Sequence, residues 1–213
     1  MLRFLKTKNN NEFTKIEVKE VPGLTLYTNF LSHEEQKILE EEIRSKPWSF
    51  VGAKGTRQVQ QYGFEYKYFQ RSFDKTTNIE KLPDFCDFVI DKMLEHKLIT
   101  HKPEQCIINK YEPGQGISRH TDLEAFGDTV VSMSLGSPTI FEFLLYAKDD
   151  DGNCRLDKKE EFFLKPGTLL IMRGDARYKW QHAMPKRKSD IIRGTKVKRK
   201  TRISLTFRFT KNT

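Results

Sequence analysis

Residues 128–146 read DTVVSMSLGSPTIFEFLLY. Two short apolar or alternating runs are broken by Gly-Ser-Pro, which reads as two strands joined at a turn. The same pattern recurs in QCIINKY (105–111), EEFFL (160–164), GTLLIM (167–172) and RISLTFRF (202–209). DDDGN (149–153) is a turn signal, so PTIFEFLLYAK and EEFFL are expected to pair as a hairpin. Upstream the pattern is helical. Ser32 and Glu35 in LSHEEQKILEEEI have the form of a capping box, with Leu39 and Ile43 on one face and a stop near Pro47. LPDFCDFVIDKMLEH (82–96) lines Phe85, Phe88, Val89 and Met93 along a second helix. Helices first and many short strands after them predict an α+β fold: a double-stranded β-helix, or jelly-roll, core with two or so helices packed on one sheet. No internal repeat is evident.

The chain of 213 residues is sized for one domain, read as residues 21–213 after an N-terminal extension of 1–20. Lys and Arg number 38 against 29 Asp and Glu, a net charge of +9 that suits a polyanionic partner or a basic soluble surface. Cys86, Cys106 and Cys154 form no C-x-x-C pair, which argues against a disulfide framework or a cysteine zinc site and fits a reducing compartment. No apolar run is long enough to cross a bilayer, and the N-terminus lacks the features of a secretory signal. The expectation is an intracellular protein, cytoplasmic with the nucleus left open, without a membrane partner.

The chemistry centres on KYEPGQGISRHTDLEAFGD (110–128), where His120 and Asp122 follow a glycine-containing turn at a strand border. Alternate residues of an extended segment share one side, so both can face one ion. His182 in RYKWQHAMP is the best third ligand. Two histidines and a carboxylate make the facial triad of non-haem Fe(II) oxygenases, although zinc accepts the same donors. His33, His96 and His101 lie in or beside the helices and read as surface residues. In RISLTFRF, period two puts Arg202, Ser204, Thr206 and Arg208 on one face and Ile203, Leu205, Phe207 and Phe209 on the other. Two guanidinium groups on the polar face of a core strand suit a dicarboxylate cosubstrate.

These residues resemble the AlkB-type Fe(II)/2-oxoglutarate dioxygenases, whose pattern is N-x-Y, H-x-D, a distal H and two arginines six apart on the last strand. The resemblance implies that His120, Asp122 and His182 hold Fe(II), with O2 as the second cosubstrate. It implies that Arg202 pairs with the distal carboxylate of 2-oxoglutarate, that Asn109 and Tyr111 hydrogen-bond it, and that Arg208 lies near Asp122. Ser204 stands where many members have Asn. HKPEQCIINKYEPGQGISRHTDLEAFGDTVVSMSLGS and GDARYKWQHAMPKRKSD are similar to the branch that hydroxylates tRNA wobble uridines, over residues from about 20 to the C-terminus. That implies an RNA substrate, with tRNA and a 5-methoxycarbonylmethyluridine-type base as the target. That branch commonly adds an RNA-recognition domain and a methyltransferase domain, neither of which fits in 213 residues, so either a separate tRNA methyltransferase as a partner or a changed substrate is expected.

RQVQQYGFEYKYF (57–69) would set Tyr62, Phe64, Tyr66 and Tyr68 at period two, an aromatic stripe beside Arg57 and Lys67 able to stack a base. Residues 186–202, the most basic stretch, read as a loop whose Lys198, Arg199 and Lys200, with Lys186, Arg187, Lys188 and Lys196, could clamp phosphates. Packing aromatics and a solvated charge run are the plainer alternatives. Demethylation of alkylated RNA or DNA, protein hydroxylation and a catalytically silent RNA-binding module also stand as competing functions.

Overall fold

The computed structural model describes residues 13–51, 57–67, 72–78 and 80–210, leaving the side chains of 65–67 and 72–78 outside the description. In chain order, β1 (Thr14–Val18) and β2 (Leu24–Thr28) lead into α1 (His33–Ser45). Next come β3 (Ser49–Val51), β4 (Arg57–Tyr62), β5 (Phe64–Lys67), β6 (Ser72–Asn78) and, after a 3-10 turn, α2 (Asp87–Glu95). The core strands are β7 (Gln105–Tyr111), β8 (Ile117–His120), β9 (Phe126–Gly136), β10 (Thr139–Lys148), β11 (Cys154–Leu164) and β12 (Thr168–Met172). The chain then forms α3 (Gly174–Tyr178), β13 (Gln181–Met184), β14 (Ser189–Ile192), β15 (Thr195–Lys198) and β16 (Arg202–Thr210).

Two antiparallel sheets make the jelly roll. The large one has the order β1-β2-β12-β9-β16-β7-β4-β3, and the small one β11-β10-β13-β8. Alternation along the strands builds two cores. Ile203, Leu205 and Phe207 of β16, with Met133 and Leu135 of β9, join Leu39 and Ile43 of α1 and Val89 and Met93 of α2. On the opposite face, Val130, Leu170 and Met172 of the large sheet meet Phe141, Phe143 and Met184 of the small one. The helices therefore cover the outer face of the large sheet, and the polar face of β16 looks into the space between the sheets.

The capping box forms as expected. Ser32 Oγ accepts from Glu35 N at 3.2 Å, Glu35 Oε2 accepts from Ser32 N at 2.7 Å, and the helix stops before Pro47. The hairpin across 149–153 also forms, pairing Thr139 with Leu164 through to Lys148 with Cys154. Its second strand starts at Cys154 rather than near Glu160, and its first half is exposed. Thr14–Val18, assigned by sequence to the extension, pairs with β2 as an exposed edge strand, so the sheet begins before residue 21. The basic stretch is not a loop: β14 and β15 pair as a hairpin whose two turn residues, Arg193 and Gly194, have φ of 48° and 80°, the left-handed values a tight hairpin turn requires. Among the described residues no helix is long and apolar enough to cross a membrane.

Candidate active site

β8 and β13 are short strands of the small sheet, and their register sets His120 directly opposite His182, with the rings 4.3 Å apart. His182 pairs in turn with Phe143 on β10, and Phe141 stacks on its imidazole at 5.7 Å. The aromatic wall buries His182, and burial with neighbouring His120 pushes its pKa down to about 3, so the ring is neutral at ordinary pH. Burial likewise lowers half-buried His120, against the pull of Asp122. His120 Nδ1 lies 2.9 Å from the Ser118 carbonyl oxygen. A bond there from an Nδ1–H leaves Nε2 as the ring's lone-pair donor.

Strand β8 ends at His120, so Asp122 does not share a strand face with it; Asp122 lies in the loop that follows. Its orientation comes instead from arginines. Arg208 Nε and Nη2 reach Asp122 Oδ1 at 2.7 and 2.6 Å, and Oδ2 faces His182 Nε2 at 3.6 Å. Burial would raise the Asp122 carboxyl, but Arg208, followed by His182 and His120, outweighs it and holds the group well below the usual carboxylate range. Arg208 is itself held by Gln105, whose Oε1 accepts from Nη1 at 3.1 Å. Sequence reasoning misses Gln105, although it shares the face of Asn109 and Tyr111 at period two. It misses Arg177 as well, whose Nη1 donates to the Asp122 carbonyl oxygen at 3.0 Å.

At the other end of β16, Arg202 pairs with Tyr111 on β7 and Gly136 on β9, and Ser204 pairs with Asn109 and Ser134. Arg202 is buried; its Nη2 donates to Ser134 Oγ at 2.7 Å and its Nη1 lies 3.9 Å from Met184 Sδ. Its Nε has no hydrogen-bond partner among the described residues. The guanidinium sits 5.7 Å over the Tyr111 ring, and burial lowers its pKa to about 10. A buried guanidinium with an open donor position fits a carboxylate. The donor set at the histidines also fits iron(II) in kind and in protonation state, since a metal ligand must be deprotonated. Among the described residues no three such side chains close into one cluster.

The residues expected from the sequence to bind substrate divide. Arg57 lies near enough to His120 to disfavour its protonation. Tyr62 is a core residue instead: it is 5% exposed, packs edge-on against Phe85 at 6.2 Å and donates to Gln60 Oε1 at 3.3 Å. The aromatic stripe breaks because Gly63, at φ +85°, ends β4, and a Cβ there would meet the Glu104 carbonyl oxygen at 1.9 Å. Half-buried Phe64 opens β5 and accepts from Gln105 Nε2 through its carbonyl at 2.7 Å. The side chains of Tyr66 and Lys67, and all of Tyr68, lie outside the described residues. Lys198 and Lys200 are exposed, but Arg199 is not available to a phosphate. It is buried with Nε and Nη2 on Asp190 at 2.6 and 2.7 Å and Nη1 on the Pro185 carbonyl at 2.7 Å.

Residues 23–208 match the family described as the 2OG-Fe(II) oxygenase superfamily. The chain is 32% identical over 200 residues to uncharacterized protein L905 of Acanthamoeba polyphaga mimivirus, covering 93% of this chain and 90% of that protein. It is 36% identical over 219 residues to the tRNA (carboxymethyluridine(34)-5-O)-methyltransferase alkbh8 of Xenopus tropicalis, covering 91% of this chain but only 33% of that protein, so it spans about a third of that relative's length. The solved structure of OsALKBH1 superposes with a TM-score of 0.63 at 21% identity, covering 92% of this chain and all of that one, a likeness of fold. The chain therefore belongs to the 2OG-Fe(II) oxygenase superfamily, among AlkB-type relatives, as a dioxygenase whose cofactor is Fe(II) and whose cosubstrates are 2-oxoglutarate and O2.

Proposed function

We propose that this dioxygenase acts on tRNA and hydroxylates a modified wobble uridine of the 5-methoxycarbonylmethyluridine type. One arrangement carries the catalytic part of the reading: His120 opposite His182, with Asp122 facing His182 at 3.6 Å and held from behind by Arg208. In this reading His120, Asp122 and His182 hold iron, and Arg202 takes the distal carboxylate of 2-oxoglutarate at its open Nε. Asn109, Tyr111 and Ser204, neighbours of Arg202 in the register of β7 and β16, would contact the cosubstrate beside it. Arg208 keeps the Asp122 carboxylate ionised and turned toward His182. Phe141 and Phe143 keep water from the His182 side. Bound iron(II) supplies the activation of O2 that couples oxidative decarboxylation of 2-oxoglutarate to oxygen insertion into a C–H bond, yielding succinate, CO2 and a hydroxylated product.

The substrate rests on two supports. One is the likeness to the alkbh8 relative, whose name describes modification of carboxymethyluridine at position 34 of tRNA, over 91% of this chain. The other is the β14–β15 hairpin and its flanks, where Lys186, Lys188, Arg193, Lys196, Lys198 and Lys200 are all exposed while the one acid, Asp190, is buried against Arg199. A surface of one sign suits a phosphate backbone.

The test is succinate formation with Fe(II), 2-oxoglutarate and total tRNA, followed by nucleoside mass analysis. A wobble uridine heavier by one oxygen supports the reading. Loss of a methyl group, released as formaldehyde, moves the substrate to an alkylated base, and succinate with unchanged tRNA moves it to protein. Asp122→Ala is expected to abolish turnover; near-normal succinate from it would remove the ligand assignment.

A further inference from the structure

Arg177 is a fully buried charged side chain, 2% exposed, on the five-residue helix α3. Its hydrogen bonds go to backbone carbonyls: Nη1 to Asp122 at 3.0 Å, Nη2 to Leu123, and Nε to Gly127 at 3.3 Å. Two of these carbonyls belong to the stretch between β8 and β9 that carries Asp122, and the third, Gly127, to the start of β9. An apolar side chain would fill this volume without burying a charge, so packing alone does not account for an arginine here.

The stretch needs an external hold. Within it, the Phe126 N–H bonds the Leu123 carbonyl at 3.2 Å. Where the segment enters β9, Gly127 and Thr129 line a cleft of about 560 Å³ with Tyr178 and Phe209. The other end of the connection is firm. Ala176 N bonds the Pro22 carbonyl at 2.9 Å, and Trp180, 3% exposed, packs in the inter-sheet core two residues before His182.

We propose that Arg177 is the positioning residue of this site: it locks the Asp122 loop to the helix that leads into the His182 strand, so that the two side chains meet. This rests on the ligand set proposed above. The experiment titrates anaerobic Fe(II), and separately Co(II), into wild type, Arg177→Lys, Arg177→Gln and Asp122→Ala, recording affinity, the Co(II) visible spectrum and thermal unfolding of the metal-free protein. The Arg177 variants are expected to fold and unfold cooperatively, to bind metal on the order of 10–100-fold more weakly, and to change the Co(II) spectrum. Wild-type affinity and spectrum in Arg177→Lys, with metal binding lost in Asp122→Ala, overturn the positioning role and keep the ligand set. Wild-type metal binding in Asp122→Ala overturns the ligand set itself. Failure of both Arg177 variants to fold makes the arginine a stability residue and overturns the proposal.

Discussion

Arg199 and Arg202 stand three residues apart in KRKTR (198–202), and both are buried, at 8% and 5% exposure. Arg199 is fully engaged: Asp190 takes two of its nitrogens and the Pro185 carbonyl the third, and Asp190 also lies 3.4 Å from the Ile140 N–H. Arg202 has no carboxylate among its described hydrogen-bond partners, only Ser134 and the Met184 sulfur, with Nε open. Same residue type and similar burial lead to opposite roles. A guanidinium whose counter-charge is built into the fold holds a hairpin in place; one left short of partners is ready for an incoming anion.

Substitution should separate the two most sharply. In Arg202→Met the cosubstrate loses about two charge-assisted hydrogen bonds, roughly 3–6 kcal/mol. The KM for 2-oxoglutarate should rise by at least about a hundredfold while thermal stability is kept or improved. Arg199→Met should do the reverse. It leaves buried Asp190 with only the long ion pair to half-exposed Arg187 at 3.9 Å and should cost up to about 3–5 kcal/mol of stability, with KM unchanged in the protein that still folds. Equal stability losses and equal KM values in the two variants would break the comparison.

The comparison sharpens if the Asp190 charge is removed as well. Arg199→Met with Asp190→Leu should recover most of the lost stability in a denaturant melt, because replacing both members of a buried pair is close to neutral. No recovery would mean that the bonds to Pro185 and Ile140, rather than the charge pair, hold the hairpin. A smaller effect is expected outside the pair. Alanine at Lys196, Lys198 and Lys200 should leave stability alone and flatten the salt dependence of tRNA affinity, by up to about one unit of slope for each phosphate that is no longer neutralised. An unchanged slope would make the hairpin an ordinary solvated face.

What could be read from the sequence follows burial. The capping box, the two long helices and the alternation of β16 were legible because each has an apolar side facing a core. Among the strands missed or shortened, β1 and the first half of β11 are exposed sheet edges whose residues carry no two-sided pattern, whereas β2 and β13 are largely buried but too short to show a period. The β14–β15 hairpin was hidden by its charge, although Arg193-Gly194 is a turn signal. His120, Asp122 and His182 could be named from their types and spacing. Arg177 and Gln105 could not, because they bear on Asp122 through its backbone carbonyl and through Arg208, relations that depend on strand order. Arg199 was misread for the same reason: its partner, Asp190, faces it only once the hairpin closes.

The same distinction, on a milder scale, divides the two faces of β4. Val59 pairs with inward-facing Asn109, so Arg57 and Gln61 share its side and look between the sheets, while Gln60 and Tyr62 look toward the helices. Gln60 Nε2 donates to the Ile43 carbonyl at 2.8 Å, anchoring the end of α1. Arg57→Ala should therefore lower turnover on tRNA, since it removes a cation beside His120. Tyr62→Phe keeps the ring against Phe85 and loses only its long bond to Gln60, so its cost should be at most about 0.5–1.5 kcal/mol, with turnover unchanged. A Tyr62→Phe enzyme that is stable but slow on tRNA would mean that the phenol reaches the substrate after all. That would require β4 to turn by one residue relative to β7, which would expose Gln60 and release the end of α1.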